Sequence, residues 1–207
     1  QRAFEQGLGP RRAPGRLARI EVQHSAPAAE PLWAEVWQPG AAAIAAHDAS
    51  HTPQPTQADT GATQARLIFD TPLRLQHQGH PVRPQALTPR KLVADLLRRI
   101  TLLAEFHAGR PGLLTHAPAL VQHAAGLDQR LELHWHDWSR YSSRQQQEMT
   151  LGGALGSWTL SGELAPLLPW LRLGEWLHVG KNATLGMGGY RLTHPATTPG
   201  TPAPSAC

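Results

Sequence analysis

The sequence of 207 residues contains a single cysteine, Cys207, at the end of the chain. One thiol can form neither a disulfide within the chain nor a cluster of thiolate metal ligands, which excludes disulfide-stapled domains and cysteine-rich zinc domains. Such sparse cysteine use is typical of a reducing compartment, so we expect a cytoplasmic protein. The sequence also lacks any apolar run near the ~18 residues that a membrane-spanning helix needs, and we expect no membrane partner.

Familiar motifs of nucleotide and hydrolase chemistry are absent as well. The pattern G-x-x-x-x-G-K-[ST] does not occur, no G-x-G-x-x-G sequence opens a helix, and there is no G-x-S-x-G nucleophile elbow. His134 and His136 have the spacing that places both side chains on one face of a strand, with Asp137 next to them. A metal site needs a third convergent ligand, which the spacing does not identify. We therefore favour a partly buried strand face and expect neither a metal nor another cofactor.

The charge of the chain is unevenly distributed. The formal net charge is +4 and the pI is about 10.0. Residues 1–60 carry five Lys/Arg and six Asp/Glu, whereas residues 61–207 carry fourteen and nine. The positive excess thus lies in the second part of the chain, where it allows a polyanionic partner.

A glycine-rich loop lies in this second part. Residues 180–190 read Gly-Lys-Asn-Ala-Thr-Leu-Gly-Met-Gly-Gly-Tyr. Glycines permit positive φ and close approach of a ligand, and successive N–H groups in such a turn can form a concavity that binds an anion such as phosphate. The alternative is a turn that only joins two strands.

Hydrophobic periodicity predicts an α+β domain. We expect strands at 65–75, 131–136, 151–160 and 189–192, with helices at 88–107 and 163–173 and a loop at 110–127. Thr88 and Pro89 are a typical N-cap and first helical residue, and Pro72 indicates an edge strand or a bulge. The order βαββαβ predicts a ferredoxin-like (RRM-like) fold.

The first of these helices has a basic face. Arg90, Lys91, Arg98 and Arg99 lie largely off its apolar stripe, and Asp95 has the spacing for an ion pair with Arg99. A solvated face is one interpretation, and a face that contacts phosphates is the other.

Several blocks in order resemble one family. Residues 172–192, which include the glycine-rich loop, resemble the C-terminal glycine-rich signature of the RAMP superfamily, and within it the CRISPR repeat-RNA processing endoribonucleases. Residues 138–145, 152–156, 71–75 and 97–100 also resemble family sequence, so the similarity extends over about residues 65–193. Met187 and Gly189 depart from the family pattern, in which bulkier or basic residues are frequent.

The resemblance implies a domain organisation. Residues 1–37 would be the end of an N-terminal ferredoxin-like domain that is otherwise missing, and 38–63 would be a flexible linker or insertion. Residues 64–194 would be the C-terminal ferredoxin-like domain, followed by a disordered tail at 195–207.

The resemblance also implies CRISPR RNA maturation in antiviral defence. Family members bind repeat RNA and cut it without metal, using the ribose 2′-OH, to give 2′,3′-cyclic phosphate and 5′-OH ends. Expected partners are repeat or guide RNA and other CRISPR effector subunits. The alternatives are a RAMP subunit that only holds guide RNA, and a structural ferredoxin-like subunit without RNA.

The candidate site residues fall into two groups. For the catalytic base or acid, the candidates are His107 and His136. Basic, aromatic and small polar side chains of residues 140–144, together with the glycine-rich loop, are the candidates for RNA binding; Tyr141 has the alternative of a core aromatic. The RNA-binding candidates are Arg140, Tyr141, Ser142, Arg144, Gly180, Lys181, Asn182, Thr184, Gly186, Gly188 and Gly189.

Overall fold

A computed structural model describes residues 6–7, 11–24, 32–41, 62–137, 139–142 and 147–193. It divides the chain into two compact units, Gln1–Gln54 and Pro55–Cys207. In the first unit, strand β1 (Ile20–His24) pairs antiparallel with strand β2 (Leu32–Trp37), with a bulge between Ile20 and Glu21. The expected tail at 195–207 and most of the expected linker lie outside the described residues.

The second unit contains a four-stranded antiparallel sheet. Its strands are β3 (Gln64–Leu73), β6 (Asp128–His136), β9 (Gly153–Ser161) and β10 (Tyr190–Thr193), and their order across the sheet is β10-β3-β9-β6. Helix α1 (Pro89–His107) connects β3 to the segment before β6, and helix α3 (Leu168–Leu177) connects β9 to β10. This is the ferredoxin-like arrangement, so the predicted fold class is confirmed.

Two short hairpins extend from this framework. Strands β4 (Gln76–His77) and β5 (His80–Pro81) form the first, and a 3-10 turn at Pro84–Ala86 follows it. Strands β7 (Ser139–Ser142) and β8 (Gln147–Thr150) form the second, between β6 and β9. Neither hairpin interrupts the order of the four main strands.

The core lies between one face of the sheet and the helices. Alternate residues of β3, including Leu67 and Phe69, are buried, as are Leu92 and Leu96 of α1. Trp158 of β9 is fully buried, and its Nε1 donates to Gln129 Oε1 at 3.1 Å. The buried side chains alternate along the strands and recur with the helical period along α1, so these faces pack against each other in one core.

The opposite face of the sheet carries a polar network. Arg66 Nη2 donates to Glu132 Oε2 at 3.0 Å and to Ser157 Oγ at 2.9 Å, and Ser157 Oγ donates to the same carboxylate at 2.8 Å. The hydrogen bond from Ser157 and the charges of Arg130 and Arg66 hold the pKa of Glu132 below its usual value. The polar side chains of this face thus satisfy one another.

The predicted ends of α1 are confirmed. Thr88 is the N-cap, its Oγ1 accepts from Lys91 N at 3.2 Å, and Pro89 follows as the first helical residue. At the other end Gly109 has a φ of 60°, and Arg110 N donates to Ala104 O at 2.9 Å. A positive φ suits glycine, so this residue ends the helix.

Residues 110–127, predicted as a loop, contain a helix instead. Helix α2 (Ala117–Ala124) has Pro118 in its first turn, and Leu120 and Ala124 are buried. Proline in the first turn supplies a suitable φ and needs no N–H partner, so it begins the helix rather than breaking it. For the same reason α3 starts later than predicted, with Pro169 in its first turn.

Two further predictions are corrected. Pro72 does not indicate an edge, because β3 lies between β10 and β9; the register with β9 shifts between Phe69 and Leu73, so the bulge is the correct alternative. Asp95 does not pair with Arg99; its Oδ1 lies 2.8 Å from Lys91 Nζ, one helical turn earlier. No helix in the described part of the chain is long and apolar enough to cross a membrane.

Candidate nucleic-acid interface

The glycine-rich loop is closed against the end of β3. Lys181 N donates to Arg74 O at 2.8 Å, Gly188 N to Pro72 O at 3.0 Å, and Val179 N to Gly188 O at 3.0 Å. A short 3-10 turn, Ala183–Leu185, lies in the middle. The bulged end of β3 therefore supplies the carbonyl groups that fix the loop.

Two of its glycines are required by close packing. Gly180 has a φ of 94°, and a Cβ there would lie 2.6 Å from Arg74 O. Gly188 has a φ of 69°, and a Cβ there would overlap the carbonyl oxygen of Val179. Gly186 also has a positive φ, 88°, but a Cβ there would meet open space. The first two glycines are needed for contact and conformation, and the third for conformation alone.

Most amides of the loop are used within the protein. Leu185 N and Met187 N donate to Asn182 O, and Gly189 N donates to Thr71 Oγ1 at 2.7 Å. Together with the bonds described above, these contacts hold the loop in shape. The anion-binding concavity expected from backbone N–H groups is thus largely filled by internal hydrogen bonds, and the basic side chains beside the loop are better placed to bind an anion.

A groove of about 420 Å³ lies between the glycine-rich loop and α1. Its lining carries four cations and one carboxylate, and it includes both lysines of the chain. The charge excess of the second unit is therefore concentrated here, on two elements far apart in sequence. The lining residues are Gln76, Lys91, Asp95, Arg98, Arg99, Leu102, Leu103, Gly180 and Lys181.

The four cations differ in their partners. Lys91 pairs with Asp95, and Arg99 Nε donates to Leu177 O at 2.6 Å, where partial burial lowers the pKa of its guanidinium. Arg98 and Lys181 are exposed and have no ion pair or side-chain hydrogen bond within the described ranges. These two side chains can bind a phosphate without first losing a protein partner.

An apolar strip continues the α1 side of the groove. Leu102 follows Arg98 by four residues and Phe106 follows Leu102 by four, so the three share one helix face. Leu102 is 43% exposed and Phe106 is 71% exposed. An unpaired nucleobase can stack on an exposed aromatic ring that shares a helix face with an exposed cation. We refer to Lys91, Arg98, Leu102, Phe106 and Lys181 as the groove face.

The RNA-binding candidates lie in two places. Gly180, Lys181, Asn182, Thr184, Gly186, Gly188 and Gly189 are all in the loop; among them Lys181 and Thr184 are exposed, and Asn182 adopts a left-handed conformation with a φ of 62°. Arg140, Tyr141 and Ser142 belong to strand β7, of which only the backbone is described, and Arg144 lies outside the described residues.

The catalytic candidates lie at the ends of two elements. His107 is the last residue of α1 and His136 is the last residue of β6, and both are exposed. His134 is exposed too, so the partly buried strand face expected for this pair is wrong. In the ranges that the structure describes, no group of three or more His, Cys, Asp or Glu side chains could hold a metal ion.

Two residues at the loop were not identified from the sequence. His178 precedes the loop, and its Nδ1 lies 3.2 Å from Met187 O. Tyr190 is the last residue of the loop and the first of β10; it is buried and donates its hydroxyl to Leu171 O at 2.6 Å. Burial, followed by the charge of Glu175, raises the pKa of Tyr190 well above its usual value, so its hydroxyl stays protonated and structural. No spacing pattern in the sequence would have indicated either contact.

Comparison with known proteins gives one family. The family model for "CRISPR-associated endoribonuclease Cas6" matches residues 67–190, more than half of the chain. No curated protein sequence matches.

Among solved structures, Thermus thermophilus Cas6 is similar at 20% identity and a TM-score of 0.50, over 64% of this chain and 54% of that one. A Cas6 product complex is similar at 18% identity and a TM-score of 0.46, over 81% and 64%. A Cas6-RT-Cas1–Cas2 complex is similar at 22% identity and a TM-score of 0.48, over 66% and 14%. The chain spans less than two thirds of each of these three structures, and the likeness to Thermus thermophilus Cas6 concerns the fold alone.

Proposed function

Because this chain belongs to the CRISPR-associated endoribonuclease Cas6 family, we propose that it binds CRISPR repeat RNA in the groove between α1 and the glycine-rich loop and takes part in cutting that RNA. The observation that carries the proposal is the concentration of cations on the groove face. Arg98 and Lys181 contact phosphates, whereas the charge of Lys91 beside them is offset by its ion pair with Asp95.

The apolar part of the groove face supplies a second kind of contact. Phe106 is exposed and lies two helical turns beyond Arg98. An aromatic ring in this position stacks on an unpaired base of the strand whose phosphates the cations hold. The groove face thus favours a single-stranded or strand-end region of the repeat RNA over a smooth duplex.

The cleavage that we propose needs no metal. The ribose 2′-oxygen attacks the adjacent phosphorus while a base takes its proton, and the bond from phosphorus to the 5′-oxygen breaks as that oxygen receives a proton. The products are a 2′,3′-cyclic phosphate and a 5′-OH. Cations stabilise the extra negative charge of the transition state, a role that suits Arg98 and Lys181.

We propose two histidines as candidates for the catalytic base and acid. His107 follows Phe106 at the end of α1, and His136 lies on β6 just before the β7–β8 hairpin that carries Arg140, Tyr141 and Ser142. Either imidazole could accept or donate a proton at the scissile phosphate. Their roles are distinguished by substitution of each with alanine in a single-turnover assay.

The domain organisation belongs to the same proposal. Residues 64–194 are the RNA-recognition domain, residues 1–37 belong to a preceding ferredoxin-like domain, and other CRISPR proteins are further partners. One matched structure is a complex that contains Cas6, RT, Cas1 and Cas2, which makes CRISPR proteins reasonable first candidates in a binding assay.

The test is a denaturing gel of end-labelled repeat RNA incubated with the protein in EDTA. A matched RNA carries a 2′-deoxyribose at the cut site. We expect one discrete cut that ends in a cyclic phosphate and disappears with the deoxy RNA. Cleavage of the deoxy RNA would contradict the 2′-OH mechanism. Binding without any cut would indicate a subunit that only holds RNA, and absence of both would contradict the proposal.

A further inference from the structure

The backbone of His178 is strained. This residue caps the C-terminus of α3 with a φ of 60° and a ψ of 170°. Positive φ combined with an extended ψ is a region that glycine adopts readily and that side chains with a Cβ disfavour. His178 N donates a hydrogen bond to Gly174 O at 2.8 Å. Glycine at this position would keep that bond, because it involves the backbone alone. The chain thus has a histidine at a position where the backbone conformation favours glycine.

The ring of His178 has a defined orientation. Its Nδ1 lies 3.2 Å from Met187 O, and a carbonyl oxygen can only accept, so Nδ1 carries a hydrogen and donates it. This bond ties the ring to the middle of the glycine-rich loop. The other nitrogen, Nε2, has no hydrogen-bond partner among the residues that the structure describes.

His178 Nε2 is accessible to solvent. No buried side-chain nitrogen or oxygen in the described part of the chain lacks a hydrogen-bond partner, so Nε2 reaches solvent although the ring is half-buried. A Cβ on Gly189 would lie 3.0 Å from the Cε1 of this ring and 3.1 Å from Nε2. Gly189 therefore leaves the space that the ring occupies, and Nε2 lies where the loop joins β10.

We propose that His178 contacts the ribose-phosphate backbone of bound RNA through Nε2, and that the strained backbone is retained for this contact. The inference rests on the proposed function and adds a residue to its site. Neutral imidazole accepts from a ribose hydroxyl at Nε2, and the protonated ring donates to a phosphate oxygen. In both forms the bond from Nδ1 to Met187 O keeps Nε2 directed to the same place.

Three substitutions of His178 distinguish the effect of its imidazole ring from the effect of its strained backbone. His178→Gly removes both, His178→Ala removes the ring and keeps the strain, and His178→Phe keeps a ring without nitrogens. We expect all three to weaken binding of repeat RNA about tenfold, since each loses the contact from Nε2 to the RNA together with the bond from Nδ1 to Met187 O that orients it. We also expect the Gly variant to melt about 2–6 °C above the Ala variant, because glycine removes the strain.

The controls distinguish this inference from the proposed function. Lys181→Ala removes a cation of the same loop. If Lys181→Ala weakens binding while His178→Phe binds RNA as the unchanged protein does, the ring has only a packing role and the inference is overturned. If the Gly variant melts well below the Ala variant, the backbone of His178 is not strained and the inference is overturned. If the unchanged protein fails to bind repeat RNA, the proposed function itself fails.

Discussion

Replacing Gly188 with alanine should damage the glycine-rich loop far more than replacing Gly186. Both glycines have a positive φ, 69° and 88°, so alanine costs about 1–2 kcal/mol at either position. Only at Gly188 would the new Cβ overlap the Val179 carbonyl oxygen, whereas at Gly186 it would meet open space. Gly186→Ala is therefore a matched control that carries the conformational cost without the overlap.

The extra cost at Gly188 follows from the hydrogen bonds around it. Relief of the overlap moves Gly188 away from Val179 and disturbs two backbone bonds of 3.0 Å, from Val179 N to Gly188 O and from Gly188 N to Pro72 O. Each such bond contributes about 0.5–1.5 kcal/mol, so Gly188→Ala should lower the free energy of unfolding by roughly 2–5 kcal/mol.

Urea unfolding followed by tryptophan fluorescence measures this difference, because Trp158 is buried in the core of the same unit. Repeat-RNA binding should be lost with Gly188→Ala and retained within a few-fold with Gly186→Ala. Equal destabilisation by the two substitutions would refute the close contact between Gly188 and Val179. Unchanged RNA binding by a destabilised Gly188→Ala variant would refute the link between loop shape and function.

Three further results are expected. Lys181→Ala should weaken repeat-RNA binding and reduce the slope of log Kd against log salt by about 1. Arg90→Ala, an exposed cation of α1 that does not line the groove, should have the smaller effect on both. Phe106→Ala should weaken binding of unpaired repeat RNA by about 1–3 kcal/mol and Phe106→Trp should not, as measured by fluorescence anisotropy; equal loss in both would contradict stacking. The hydrogen bond from Arg191 holds the pKa of Asp70 below its ordinary 3.8. The pair therefore stabilises the fold above that pH, and its contribution is lost as the pH falls through the lowered pKa. Asp70→Asn should flatten that part of an acid-unfolding curve.

The fold was predictable because its signals are local. Thr88, Pro89 and Gly109 mark the ends of α1 by cap chemistry that depends on a few neighbouring residues. The same kind of reasoning failed at Pro118, since a proline in a first helical turn and a proline in a loop have similar neighbours in the sequence. What decides between the two is the burial of Leu120 in the core, a tertiary contact that the local sequence does not show.

The site was predictable only in its parts. The glycine-rich loop and the basic face of α1 were each visible in the sequence, but their meeting in one groove depends on the pairing of β10 with β3. The use of the loop amides in internal hydrogen bonds could not be predicted either, because the acceptors at Pro72 and Arg74 lie about a hundred residues earlier in the chain. His178 could not be identified from the sequence, because what distinguishes it is its backbone conformation, with a φ of 60° and a ψ of 170°.

The most direct test of the account is photo-crosslinking of the protein to repeat RNA that contains 4-thiouridine, followed by mass spectrometry of the linked peptides. Arg98→Ala combined with Lys181→Ala serves as the control, since it removes the two unpaired cations of the groove. If RNA binds in the groove, crosslinks should fall within residues 89–107 and 176–191 and be lost in the double variant. Crosslinks that fall instead on the open face of the sheet, within residues 64–70 and 128–136, and persist in the double variant would contradict it.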